Sequence, residues 1–200
     1  MDVERFPPGT PLAFERLDQE LAAHACADEK EARDVALVRR FLREHPRDAH
    51  LRAQPLGHLT GSGFVVDGSG ARVLLLHHGK LRRWLQPGGH GEGELDPRLI
   101  ALREIEEETG LSAGDLSPFP DERLLDVDVH LIPARPNEPE HPHLDLRYGF
   151  RAREGALLKL SDESTDLRWF PLSALPGDVD ESLRRAVRKL WLQAPASGPR

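Results

Sequence analysis

Glu104, Glu107 and Glu108 stand at i, i+3 and i+4, so on a helix their three carboxylates crowd one side. Like charges at this spacing each cost roughly 0.2–0.5 kcal/mol. They also lie near the C-terminal end of the helix, where the macrodipole is already negative. A cluster that opposes both rules suits a cation supplied from outside the chain. Carboxylates on one face favour a hard, oxygen-loving divalent ion, Mg2+ or Mn2+. Three glutamates alone also fit a solvated acidic face. The residues upstream bear on the choice, because Gly88-Gly89 lets the backbone turn tightly and bring a carbonyl close to a ligand.

The element that must position these acids is bracketed by local signals. Asp96 is a good N-cap, Pro97 suits the first helical position and Gly110 the position just past the end. Leu99, Leu102 and Ile105 recur at helical spacing and give an apolar face.

The whole chain bounds what such a site serves. Its 200 residues fit one domain able to bury a sizeable core. A net charge of −7 argues against a nucleic-acid polymer or an anionic membrane as partner. A small phosphorylated substrate stays open, since a bound metal brings positive charge. Cys26 is the only cysteine, which excludes an internal disulfide and points to a reduced, cytoplasmic setting. No run approaches the roughly 18 apolar residues of a membrane helix, and MDVERFPPGT lacks the layout of a signal peptide.

Taken in order, residues 1 to about 10 read as irregular. Thr10-Pro11 opens a helix to about Ala25, with Phe14, Leu17 and Leu21 on one face. A second helix runs from about Asp28 to Glu44, with Val35, Val38, Phe41 and Leu42 inward and Pro46 ending it. Together, residues 1–54 form a helical extension expected to pack on a domain of residues 55–193, and residues 194–200 are expected to be a disordered tail. Gly57–Val66 and Ala71–His77 read as strands joined by a hairpin turn, and Trp84–Gln86 as a short strand feeding the glycines. Leu124–Ile132 and His143–Phe150 alternate. With a turn near Asn137 and Glu138, Asp128 faces Arg147 and His130 faces Asp145. Asp128 and Arg147 are then either a polar, substrate-binding pocket wall or ordinary cross-strand pairs. Ala156–Leu160 and Leu167–Phe170 read as further strands, and a closing helix begins at Asp180.

Two aromatic features carry competing readings. Trp84 either stacks on a substrate base or packs. His90 abuts the glycines and is placed to contact phosphate. His141-x-His143 and His90 also invite a zinc reading, but no strong zinc spacing such as HExxH or paired CxxC is present, so zinc is set aside at this point.

A glycine loop running into a carboxylate helix resembles the Nudix box of the Nudix hydrolases, G-x5-E-x7-R-E-U-x-E-E-x-G-U with U a bulky aliphatic. Arg103, Glu104, Ile105, Glu107, Glu108, Gly110 and Leu111 match its second half without error. The first half departs: counting from Gly89 puts Leu95 where the pattern has Glu, with Glu94 and Asp96 on either side. The resemblance covers about residues 57 to 192, including WLQPGGH at Trp84–His90, the stretch Asp126–Phe150 and RWF at Arg168–Phe170. It implies an α/β/α sandwich around a mixed β-sheet. It implies a hydrolase that cleaves the pyrophosphate of an NTP or a nucleoside diphosphate-linked molecule by water attack at phosphorus. Glu104, Glu107 and Glu108 would hold Mg2+ or Mn2+, with the Gly88 carbonyl completing the shell. Arg103 would orient a loop acid, Glu94 ahead of Asp96. The general base would be Glu104 or Glu163. Two alternatives are a non-catalytic nucleotide sensor and an isoprenyl diphosphate isomerase. The isomerase needs a site cysteine, and Cys26 falls in the predicted N-terminal helix. Oligomeric state is open, and a homodimer is compatible with it.

Overall fold

A computed structural model describes residues 10–134 and 139–193. The readings made for residues 1–9 and for the tail from 194 therefore lie outside the described residues. Four helices, α1 (Leu12–Ala23), α2 (Glu29–Glu44), α3 (Pro97–Thr109) and α4 (Glu181–Gln193), surround one mixed sheet. Its strands are β1 (His58–Val66), β2 (Arg72–His78), β3 (Trp84–Leu85), β4 (Gly88–His90), β5 (Leu116–Pro118), β6 (Leu124–Ile132), β7 (His141–Ala152) and β8 (Ser164–Pro171).

Strand β1 is the axis of the sheet. It runs parallel to β7 from His58↔His143 to Val66↔Arg151. Its other edge is shared antiparallel by β4, through Thr60↔His90 and Ser62↔Gly88, and by β2, through Val66↔Val73. Strand β2 continues to β3 and β8, and β7 continues to β6 and β5. The result is the α/β/α sandwich around a mixed sheet that the sequence implies.

Helix α3 lies directly on β1 because two glycines face it. A Cβ on Gly61 would sit 2.3 Å from the Pro97 carbonyl oxygen, and one on Gly63 2.3 Å from Ile105 Cδ1. Ile100, Ala101 and Ile105 thus reach the sheet, whereas Leu99, counted in the apolar face by periodicity, is half exposed. One core on this side joins α1 and α2 to Leu59, Val65, Ile105 and Leu146. A second core, on the other side, joins α4 to Phe64, Val66, Val73 and Leu75.

The N-terminal helices do more than pack. Among the described residues strand β6 pairs with β7 alone, and three carboxylates accept its outer amides: Glu20 from Leu124 at 2.5 Å, Glu31 from Val127 at 3.2 Å and Asp34 from Val129 at 3.0 Å. An edge strand capped this way offers no template to another chain.

Several details differ from the sequence reading. Helix α1 ends at Ala23, so Cys26 lies in the connection to α2, and exposed, rather than within a helix. Ala156–Leu160 is no strand: Leu157 is exposed, and the segment is tied by bonds from Ala156 N to the Arg153 carbonyl and from Lys159 N to the Thr109 carbonyl. In the β6–β7 pair Asp128 opposes Asp145, His130 opposes His143, and Asp126 opposes Arg147 across a bulge. The register is shifted by two residues, so Asp128 meets Arg147 diagonally, at 3.3 Å. Strands β4 and β5 were not foreseen, one holding two glycines and the other a proline in three residues each.

Candidate active site

Helix α3 starts and ends as its caps dictate. Asp96 accepts the Arg98 amide at 2.9 Å, and Gly110 takes the left-handed conformation at φ 74°. The helix therefore presents Glu104, Glu107 and Glu108 at a fixed height beside strand β4.

Contact with β4 is intimate. The Gly88 N–H donates to Glu108 Oε2 at 3.0 Å. A Cβ on Gly89 would lie 2.6 Å from the Glu104 carboxyl carbon, so only glycine leaves that carboxylate its place. Arg103 donates to the His90 carbonyl and, at 2.8 Å, to Glu104 Oε1. The guanidinium thus ties α3 to β4.

This is not the partner expected for Arg103. Glu94 instead accepts the amides of Leu95 at 2.6 Å and Asp96 at 2.9 Å, and Asp96 caps the helix. Both acids are satisfied by amides one or two residues away. The loop that departs from the box pattern holds Glu92 in the left-handed region at φ 50°, a strained position for a residue with a side chain, and Gly93 follows at φ 98°, where glycine is at ease. A shallow groove between this loop, Leu99 and Arg103 opens beside the site.

The electrostatics single out two carboxyls. Burial, opposed by Arg103 and reinforced by Glu107, Glu163 and Glu92, raises Glu104 to about 7. Burial, opposed by the Gly88 N–H and reinforced by Glu104, Glu163 and Glu107, raises Glu108 to about 8. Glu107 is exposed on the same side. Glu163 arrives from the loop before β8, held where its carbonyl accepts the Gly79 N–H at 3.0 Å, and its charge acts on both buried carboxyls. Glu92 acts on Glu104 from the strained loop; its lack of any motif position hid it in the sequence.

The other residues singled out lie elsewhere on the sheet. Trp84 packs edge-on to Phe170, at 4.7 Å between ring centroids, with the Arg168 guanidinium 5.6 Å over its ring. The His90 imidazole points away from α3, its Nε2 3.2 Å from His143 Nε2. Arg147 is 3% exposed and committed to Asp126, Asp128 and Asp145 at 3.2, 3.3 and 2.8 Å. That leaves Asp128 and Arg147 as a buried brace under the sheet rather than an open wall.

Comparison with known proteins bears on the fold and the family. Among solved structures, a hydrolase of the NUDIX family from Clostridium perfringens is 27% identical with a TM-score of 0.52, covering 68% of this chain and 97% of that one. An Ap4A hydrolase from C. elegans superposes with a TM-score of 0.55 over 67% of this chain and 95% of that one; at 18% identity it supports the fold alone. A protein of Lactococcus lactis subsp. cremoris described as "Probable DHNTP pyrophosphohydrolase" is 30% identical over 104 residues, which are 52% of this chain and 56% of that protein. The chain thus spans little more than half the length of this curated relative. Residues 57–190 match the model of the NUDIX domain, and the chain belongs to that family.

Proposed function

We propose that the chain is a metal-dependent pyrophosphohydrolase that cleaves an NTP or a nucleoside diphosphate-linked small molecule by water attack at phosphorus. One observation carries this reading. Glu104 and Glu108 are largely buried and raised to about 7 and 8, each adding to the other's acid surroundings, with the Arg103 guanidinium beside Glu104 and the Gly88 N–H on Glu108. Oxygen-only donors on a helix, held against a glycine strand, fit Mg2+ or Mn2+ and suit a softer ion poorly.

Glu104 and Glu108 would hold the ion, with exposed Glu107 and the Gly88 carbonyl beside them. When bound, the ion neutralises phosphate oxygens and acidifies the attacking water. The chain's own groups do the rest. The Gly88 N–H and Arg103 fix the two buried carboxylates, so little reorganisation is needed. Glu163, exposed and facing the same acids from a separate loop, is the base that takes the water's proton, with Glu104 the other candidate. Trp84, packed on Phe170, and His90, turned away from α3, are not on the substrate side of these acids, and buried Arg147 and Asp128 support the strands beneath.

The Lactococcus relative makes DHNTP the first compound to try, beside NTPs, ADP-ribose, nucleotide sugars and dinucleoside polyphosphates. Phosphate or nucleotide release over that panel, with Mg2+ and with Mn2+, tests the reading. Turnover is expected to vanish in chelator and to fall by ~100-fold or more in Glu108→Gln. Turnover that persists in chelator, or ligand binding without turnover across the panel, would overturn it.

A further inference from the structure

Five histidines gather at one end of the sheet, on the face away from α3. Ser62 and Gly88 meet on that face, as the contact a Gly88 Cβ would make with Ser62 shows, and Thr60 pairs with His90. Residues two apart share a face. His58 therefore projects from β1, His90 from β4 and His143 from β7 into one space, with His141 and His130 at its margin. Ring centroids are 5.0 Å apart for His58 and His90, 4.9 Å for His58 and His143, and 4.9 Å for His90 and His143. One ring nitrogen from each of the three lies within 4.8 Å of the other two.

We propose that His58, His90 and His143 form a second divalent-metal site, suited to a transition ion such as Zn2+ and distinct from the carboxylate site on α3. Imidazole nitrogens favour zinc where carboxylates favour magnesium. With Zn–N of about 2.0–2.1 Å, two ligands of a tetrahedral ion stand roughly 3.3–3.4 Å apart. The His90 and His143 Nε2 atoms are 3.2 Å apart. A hydrogen bond between two imidazoles explains that pair, but not the convergence of a third ring's nitrogen on the same space.

The surroundings favour ligation over charge. His58 is 1% exposed, and its ring is surrounded by those of His90, His141 and His143. His141 is the candidate fourth ligand. Its Nδ1 lies 2.8 Å from the Pro139 carbonyl, which can only accept, so Nδ1 carries the proton and Nε2 the lone pair. Its ring is 5.0 Å from His58 and 5.3 Å from His143. An ion here would pin β4, β1 and β7 together, and through β4 it would fix Gly88 and Gly89 against the acids of α3.

The test is a titration of the full chain, first stripped by chelation and then held in excess Mg2+, with Zn2+ and with Co2+ as a spectroscopic probe. One equivalent of Zn2+ is expected, with the intense visible bands of tetrahedral Co2+. Glu108→Gln should keep this binding, and His90→Gln and His143→Gln should weaken it by at least about tenfold. Because His143 is interior and its variant is at risk of misfolding, imidazole nitrogen shifts in the unsubstituted protein give a second readout. Zn2+ should move the resonances of His58, His90 and His143 together. Absence of stoichiometric Zn2+ binding, an octahedral Co2+ spectrum, or binding lost in Glu108→Gln but unchanged in His90→Gln would each overturn the proposal.

Discussion

Among the described residues two clusters of carboxylates have buried members, and the chain pairs them differently. Under β6, Glu31 and Asp126 are both 0% exposed. Arg185 donates to Asp126 at 2.8 Å through both Nε and Nη2, Lys189 donates to Glu31, and Arg147 and Lys30 reach Asp128. Burial alone would raise Glu31, yet bonds from His24, Lys189 and the Ala27 amide hold it at about 2. On α3 the chain brings Glu104, Glu107 and Glu108 together, with Glu163 from the loop before β8 and the Arg103 guanidinium beside them, and the two more buried carboxyls rise to about 7 and 8. Burying a charge is costly unless it is paired. The first cluster carries its own cations and is a structural brace. The second has Arg103 against Glu104 and no side-chain cation bonded to Glu108 among the described residues, which is the condition on which the proposed metal site rests.

The strongest way to break this contrast is to remove a cation from the brace. Arg185 is 2% exposed and bonds both Asp126 and the Val127 carbonyl. Arg185→Met should destabilise the protein by about 3–5 kcal/mol, because it removes the bidentate partner of a fully buried carboxylate and leaves it only the longer contacts with Arg147 and Lys189. Urea unfolding measures it, and a loss under about 1 kcal/mol would show that the brace is not an integral network. Next in size, Glu108→Gln should abolish turnover while leaving the chelated protein's Tm unchanged or higher, since it removes a buried, unpaired acid. A large fall in Tm would mean that Glu108 is a structural partner of Gly88 rather than a ligand. Smaller again is Gly89→Ala, whose Cβ would displace the Glu104 carboxylate. It should lower kcat by roughly tenfold with little change in KM, because a misplaced catalytic group costs the transition state and not ground-state binding.

The two clusters also differ in how far the sequence reveals them. Asp96, Pro97 and Gly110 bracket α3 to the residue, because caps are chemistry between neighbours. Glu104, Glu107 and Glu108 are legible for the same reason: their spacing alone makes them neighbours. The partner of Arg103 is not, since Glu94 satisfies itself on adjacent amides and the His90 carbonyl becomes a partner only once β4 pairs with β1. The brace is hidden further. Asp126, Arg147 and Arg185 come from separate elements, and their pairing depends on a β6–β7 register that the strands' alternation cannot set. A register two residues away preserves every inward and outward position and changes only who meets whom. His58 was overlooked on the same grounds, since no local pattern marks a lone histidine at the start of a strand.

The finest test is pH, where Glu31 of the brace and the acids of α3 should pull stability in opposite directions, although burial raises Asp126 of the brace in the same sense as the α3 acids. Glu104 and Glu108 have folded values above the ordinary 4.5. Their contribution is therefore complete below about pH 4.5 and is lost as pH rises through about 7 and 8. Glu31, held at about 2, contributes fully above 4.5 and loses that contribution as pH falls through 2. Chelated protein should then melt roughly 3–6 °C lower at about pH 8.5 than at about pH 5.5. Added Mg2+ should recover much of the difference, because the ion pairs the acids that deprotonation leaves exposed to one another. Glu108→Gln should flatten the alkaline slope without touching the acid limb. An alkaline slope that survives both Mg2+ and this substitution would place the titrating groups outside α3, and the distinction between a self-paired and a cation-seeking cluster would fail.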